Sequence, residues 1–371
     1  MRFLIVTHVP HCVAGDQFYA YGPYVQEMNL WEKQVEELII VAPIEVREPE
    51  VIELPYLHQQ LELIKVKPFS FISLSAGMAA LLRLPGILLK LFRQMRKADH
   101  IHLRCPGNMG LLGAIVQVFY PSKQKTAKYA GNWDPDAKQP LSYRFQKWIL
   151  SNTLLTRNMQ VLVYGDWPGQ TKNVKPFFTA TYRNSDFDTA VLYERADSPI
   201  RFMFAGTLSP GKRPLYALKL AQKIGEQQQV VIDFYGEGKE RGILEKYIEE
   251  QGLSSWVKLH GNVDKSTVLQ AFQKSHFLVL PSQSEGWPKV VAEAMCWGCI
   301  PIVTKISCVP WMLGEGERGV LIDLDLEEDA AKVNLLLADD YKRQQVVSSG
   351  SSWSRQYTLD RFEIEIGKLL K

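Results

Sequence analysis

Two glutamates, Glu285 and Glu293, bracket a Gly-Trp-Pro turn and the start of an apolar helix in the stretch SEGWPKVVAEAMCWG, Ser284 to Gly298. The apolar run HFLVLP reads as a strand ending at Pro281, so Glu285 lies in the turn beyond it. Pro288 suits the first helical position, where a missing N–H costs nothing. Gly286 lets a ligand approach the backbone closely, and the helix amino end offers free N–H groups and a dipole that favour a phosphate. Glu293 falls about one and a half turns into the helix. In these places Glu285 could accept hydrogen bonds from the hydroxyls of a sugar and Glu293 from those of a ribose, and the helix end suits a phosphate. Most single glutamates are simply solvated; the position after a strand, with Gly and Pro placed this way, carries the reading.

The elements that must position these residues alternate along nearly the whole chain. RFLIVTHV, ELIIVAP, LELIKV, HIHLR, TAKYAG and QVLVYG read as strands with helical patterns between most of them. The rhythm restarts after Asp186 with IRFMFAG, VVIDFYG, VKLHG, FLVLP, CIPIV and GVLID. Strand–helix alternation predicts parallel sheets with helices on both faces. Two sets predict two Rossmann-like domains, residues 1–185 and 186–354, with a helix over about 355–371 packing back on the first. The polar segment from Arg183 to Ser198 reads as a hinge. In such sheets ligands sit beyond the carboxyl ends of the strands, so polar residues just after each strand are the ones to examine.

A length of 371 residues suits two such domains, and 46% hydrophobic with 22% charged residues is a globular composition. MRFLIVTHVPH reads as a first strand and not an export signal; with five cysteines this predicts reduced thiols and a cytoplasmic protein. The net charge of +3 conceals an asymmetry: residues 1–185 hold 21 Lys/Arg against 14 Asp/Glu, and 11 of those cations face one acid, Asp99, between Lys65 and Lys128. Such a patch seeks an anionic surface. No recognised nucleic-acid module accompanies it, which disfavours nucleic acid.

The stretch PSQSEGWPKVVAEAMCWGCIPIV resembles the E-x7-E region of glycosyltransferase family 4 (group 1), and the similarity continues through FAGTLSPGKRPLYALKLA, IDFYGEGKERGILEKYI and VKLHGNV, across the second domain in order. The resemblance implies the GT-B fold, α/β with two Rossmann-like domains facing each other across a cleft. It implies a retaining, metal-independent enzyme with no cofactor and a nucleotide-diphosphate sugar as co-substrate. By it, Glu285 contacts the donor sugar, the backbone of Gly286, Trp287, Pro288 and Lys289 lines the sugar and diphosphate, Glu293 holds the ribose, and Asn262 and Val263 edge the base. Lys212 matches the family's diphosphate-clamping lysine, where a cation stabilises charge on the leaving group. Thr207 stands where the family has an arginine; it carries no charge, and Arg213 is the residue placed to compensate.

The first domain resembles the family only in layout and a few loops. Arg104, after the strand ending near His102, is assigned to hold a departing phosphate or orient the sugar, while His102 reads as a strand histidine with a satisfied hydrogen bond. Asp16 is assigned to orient an acceptor hydroxyl, with a turn cap as the equal alternative. His11, Gly15, Asn132 and Trp133 are assigned to the acceptor, Trp133 being either a sugar platform or a core tryptophan. In LPGILLKLFRQMRKADH, Leu84, Leu88, Leu91, Phe92 and Met95 form one stripe and Lys90, Arg93 and Lys97 another. This predicts either a helix dipping into an anionic membrane surface, near a lipid-linked saccharide acceptor, or a helix packed on its sheet with a solvated basic face.

Other signals carry less. CWGC, Cys296 to Cys299, has no second pair to complete a metal site and reads as packing thiols. The Asp-x-Asp pairs at 134–136 and 323–325 are not placed as metal ligands, so no metal is expected. The reading is sugar transfer to an acceptor hydroxyl in bacterial surface polysaccharide or glycolipid assembly. The alternatives are a sugar-nucleotide epimerase of the same fold and a non-catalytic sugar-nucleotide-binding protein.

Overall fold

Phe3, Leu4, Ile5 and Val6 are all buried, as are Ile40, Val41 and Ala42 on the neighbouring strand. Consecutive residues can all be buried only if both faces of the strand are covered, which is the condition of a parallel sheet between helix layers. The computed structural model describes residues 1–50, 52–69, 74–187 and 198–371, with side chains of the helix beginning at Leu74 described from Leu82 onward. Most of the expected hinge lies outside the described residues.

The chain divides into two compact units, Met1–Phe178 with Phe362–Lys371, and Thr179–Arg361. The first unit is built on seven parallel strands in the order Val174–Phe177, Met159–Tyr164, Gln124–Tyr129, His100–Cys105, Arg2–Val6, Glu37–Pro43 and Leu61–Val66. The winding reverses between Arg2–Val6 and His100–Cys105. The second unit has six parallel strands in the order Val257–Gly261, Val230–Tyr235, Ile200–Ala205, Phe277–Leu280, Ile300–Thr304 and Val320–Ile322. Its winding reverses between Ile200–Ala205 and Phe277–Leu280. At such a reversal the loops diverge and leave room for a ligand.

The last helix, Leu359–Leu369, contributes its residues from Phe362 onward to the first unit. Phe362 packs edge-on against Phe177 and Phe178, at 5.4 and 5.8 Å, and Glu363 pairs with Lys33 at 2.8 Å.

Of the two expectations about the basic segment, the single patch is corrected and the helix follows its packed alternative in part. The helix Leu74–Lys97 turns Ile87, Leu91 and Met95 into the core of the first sheet, with Leu88 and Phe92 half-buried against it. Most of the described apolar stripe is therefore consumed by packing, as in the packed-helix alternative, while Leu82 and Leu89 stand exposed beside Arg83, Lys90 and Arg93. The 11 cations are also not one surface patch. Lys128 and Lys125 are buried, and Arg104 nearly so. No described helix is long and apolar enough to cross a membrane.

Candidate functional site

At the reversal point of the second sheet, three loops touch backbone to backbone. A Cβ on Gly236 would fall 2.0 Å from the Gly206 carbonyl oxygen, and one on Gly238 2.3 Å from that of Leu208. The Gly206 and Leu208 amides donate to Tyr235 and Glu237 at 2.9 Å each. Only glycine permits this closeness, at positive φ.

On this base stands a short turn, Pro210–Lys212, followed by the helix Pro214–Ile224. Arg213 between them takes a left-handed conformation, φ 50°. The Gln283 amide donates to Gly211 at 2.7 Å, tying this turn to the loop after Phe277–Leu280. Across that tie the Lys212 ammonium donates to the Glu285 carboxylate. The Glu285 side chain is 10% exposed and that of Lys212 30%. A cation and a carboxylate thus converge where the two strands diverge, and the Arg213 guanidinium reaches the Pro281 carbonyl at 3.4 Å.

The turn after Glu285 is pinned from behind. Cys308 donates its thiol to the Gly286 carbonyl at 3.0 Å, and Thr304 its hydroxyl to the Ser282 carbonyl at 2.5 Å. The Trp287 ring is buried among Trp311, Trp353 and Tyr357, at 6.1, 6.2 and 5.5 Å. Its side chain serves as an anchor, which leaves the backbone of the turn as the part able to face a ligand. The helix runs Lys289–Cys296, and Pro288 occupies the cap position, one residue earlier than expected. Glu293 accepts the Thr181 hydroxyl at 2.6 Å. Burial, then the Glu293 charge, pushes the neighbouring Tyr182 hydroxyl far above its ordinary pKa. Glu293, Lys289 and Thr181 line one small pocket. Thr207 and Asn262 are exposed and Val263 half-buried. Asn262 follows Gly261, whose carbonyl accepts the Gly236 amide at 2.8 Å.

Thr181 and Cys308 were not foreseen, for no local pattern marks a hydroxyl 112 positions from its carboxylate.

At the reversal point of the first sheet, Arg104 is bound by Glu27 at 2.8 Å, and Lys128 holds the other Glu27 oxygen at 3.1 Å. The Arg104 guanidinium lies over the Tyr24 ring, 5.6 Å from its centre. Gly107 passes so close to His8 that a Cβ would sit 2.8 Å from Nδ1. Desolvation, then the Arg104 charge, holds the His8 pKa below its ordinary value. His8 was missed because the strand was read as RFLIVTHV, with His8 inside it, whereas it ends at Val6 and leaves His8 just beyond.

Of the other residues assigned to the first unit, His11 is placed differently from expectation. His11 is wholly buried, with its ring nitrogens on the Val9 carbonyl and the Tyr56 hydroxyl at 2.8 and 2.7 Å. Trp133 is 1% exposed, donates to Gln170 at 3.0 Å and packs edge-on against Tyr129. Both are interior residues, and the core alternative for Trp133 holds. Gly15 and Asp16 form the exposed tip of a hairpin between His11–Ala14 and Gln17–Tyr21. Gly15 takes φ 59° there, as a two-residue hairpin turn requires. Asn132 accepts the Asp134 amide at 2.9 Å, closing a local turn. His102 is buried with Nδ1 on the Thr126 hydroxyl at 2.8 Å, as its sequence position suggested.

Residues 192–353 match the family model described as Glycosyl transferases group 1. The Rhizobium meliloti lipopolysaccharide core biosynthesis glycosyltransferase LpsE is 26% identical over 47% of this chain and 49% of its own. The Xanthomonas oryzae GDP-mannose:cellobiosyl-diphosphopolyprenol alpha-mannosyltransferase is 28% identical over 34% of this chain and 37% of its own. The chain thus spans half or less of the length of these curated relatives. Anabaena HepE, solved with UDP-glucose, superposes with a TM-score of 0.66 at 14% identity, over all of this chain and 99% of that one. At that identity the likeness carries the fold, which is GT-B.

Proposed function

We propose that this chain is a retaining, metal-independent glycosyltransferase of family 4 that moves a sugar from a nucleotide-diphosphate sugar to an acceptor hydroxyl, in surface polysaccharide or glycolipid assembly. One observation carries the reading. Lys212 and Glu285 meet at the reversal point of the second sheet, inside the stretch that matches the group 1 transferase model. Breaking the anomeric bond puts charge on the diphosphate, and a preorganised lysine beside a helix amino end stabilises it. Glu285 orients the sugar hydroxyls, Glu293 takes the ribose, and the exposed Asn262 edges the base. Thr207 leaves the diphosphate clamp to Lys212 and Arg213. The first unit takes the acceptor, with Arg104 as its cation. In a retaining reaction without a protein nucleophile, the departing phosphate oxygen takes the acceptor proton on the same face.

The relatives support the acceptor class: one is named for lipopolysaccharide core synthesis, another for a diphosphopolyprenol-linked sugar. A thermal-shift screen against UDP-, GDP- and other nucleotide sugars tests the donor site. A specific donor raises the melting temperature by mass action. A positive donor is then incubated with lipid-linked and free saccharides, and the anomeric configuration of the product is read by NMR. Donor binding with neither transfer nor hydrolysis on any acceptor, or interconversion of the free sugar nucleotide, would replace this reading.

A further inference from the structure

The helix Leu141–Ser151 is apolar on more than its packed side. Ile149 and Leu150 are buried, yet Leu141, Phe145 and Trp148 stand 77, 47 and 57% exposed. Their i, i+4, i+7 spacing puts all three on one face. The Phe145 and Trp148 rings stack at 5.8 Å, 13° from parallel. The helix and its immediate flanks carry basic residues and no acid of their own, with Asp134 beside Lys147 at the helix's inner side. Residues 137–165 contain no Asp or Glu, and Lys138 and Arg144 within them are exposed.

Just past the helix end, Thr153 and Thr156 begin the wall of a cleft of about 1070 Å³ at the amino ends of Gln124–Tyr129 and Met159–Tyr164. Its lining includes Lys125, Arg157, Lys172, Lys175, Lys371 and Lys368, the last paired with Glu365 at 2.8 Å, and no Asp or Glu. Lys125 is buried with its ammonium on the Tyr120 carbonyl at 2.9 Å. Arg157, Lys172 and Lys175 are exposed and form no ion pair among the described residues. Uncompensated cations around a concavity focus a positive potential into it.

We infer that this surface docks the first unit on an anionic lipid leaflet, with Leu141, Phe145 and Trp148 entering the headgroup–acyl boundary and Arg144, Arg157, Lys172 and Lys175 facing anionic headgroups. Apolar insertion and basic attraction are the two signals that reversible attachment to a leaflet needs, and aromatic rings with polar edges favour that depth. A second copy fits less well, because a self-paired face would set these cations against themselves. The surface lies on a helix other than the one whose basic and apolar stripes the sequence suggested, since most of that stripe is spent on the core. The inference goes beyond the proposed function, naming a leaflet as the surface on which the first unit rests.

The test uses the full chain and neither donor nor acceptor, so its failure leaves sugar transfer standing. Flotation with vesicles of phosphatidylcholine alone is compared with vesicles that also contain phosphatidylglycerol, at low and high salt. Binding is expected to the anionic vesicles and to weaken with salt. The double variant Phe145→Ser/Trp148→Ser should lose at least about tenfold, and each of Arg144→Gln, Arg157→Gln, Lys172→Gln and Lys175→Gln up to roughly fivefold. These side chains are exposed, so circular dichroism and melting should stay unchanged. Brominated lipid should quench less fluorescence in Trp148→Phe than in the parent chain. Absent binding, equal binding to neutral vesicles, or full retention by the double variant overturns the inference. So does a concentration-dependent dimer abolished by Trp148→Ser, which would assign the face to a second copy.

Discussion

The Glu27 carboxylate stands 2.8 Å from the Arg104 guanidinium and 3.1 Å from the Lys128 ammonium, one buried anion between two buried or nearly buried cations. Lys128 is fully buried, donates to the Phe178 carbonyl at 3.0 Å and lies 4.8 Å from the centre of the Phe362 ring. Glu27→Gln keeps the shape and removes the charge that both cations need. It should destabilise the first unit by about 3–5 kcal/mol, the range for breaking a buried ion pair from one side. Urea unfolding followed by circular dichroism reads the loss; a change under about 1 kcal/mol would mean that water already solvates the triad.

The Lys212–Glu285 pair makes a sharper claim about turnover. Lys212→Ala removes the cation proposed to face the leaving diphosphate and should cost about 2–4 kcal/mol in the barrier, the range for one lost charge-stabilising donor. Glu285→Ala removes the carboxylate proposed to orient the sugar, strands Lys212, and should abolish measurable transfer. Steady-state kinetics on an identified donor and acceptor decide this, and parent-like turnover by either variant would remove the pair from the mechanism.

Glu293 is held by the Thr181 hydroxyl at 2.6 Å, which aims one of its two oxygens. Glu293→Gln should weaken donor binding by roughly 1–3 kcal/mol, the range for a hydrogen bond to a charged group. Thr181→Val should produce a smaller loss in the same direction, by freeing the carboxylate to turn. Calorimetric titration with the donor measures both; an unchanged Kd for Glu293→Gln, with melting intact, would make Glu293 a structural residue.

Much of the second unit was legible because its information is local. Glu285, the glycine before Trp287 and Lys212 each lie just past a strand whose apolar run is plain in the sequence. What was not legible depends on contacts between distant segments. Thr181 and Cys308 reach the site from other loops, and Glu27 meets Arg104 across 77 positions. The basic segment shows the reverse failure. Composition counted Lys125 and Lys128 as surface charge, yet their strand, Gln124–Tyr129, lies inside a seven-stranded sheet. Glu27, Tyr164, Phe177 and Phe362 close over Lys128 from other segments, and a count of charges cannot see neighbours. His11 and Trp133 were assigned to a ligand for their chemistry, while their burial is set by the Tyr56 and Gln170 partners that folding supplies.

Three buried histidines of the first unit give stability a pH dependence whose sign can be worked out. Burial lowers His11 and His100 from 6.5 to about 4, and burial, then the His100 charge, lowers His102 well below 6.5. Below pH 6.5 the unfolded chain takes up protons at these rings while the folded unit does not. Stability is therefore fully present above pH 6.5 and declines as pH falls toward 4, by up to about 1.4 kcal/mol per pH unit for each ring. Carboxylates held low in the fold act in a different window. Glu53, lowered to about 2 chiefly by Arg47, begins to cost stability only below about pH 4.5. Glu32, raised by burial, opposes the trend just above pH 4.5, one group against these three and His8, which is lowered too. Urea unfolding at pH 7, 6 and 5 should thus show a steep loss before carboxylates titrate. His11→Asn should lower stability at every pH but flatten the slope between pH 6 and 5 by about 1 kcal/mol per unit. A slope that His11→Asn leaves unchanged would mean that the His11 ring is already reached by protons in the folded unit.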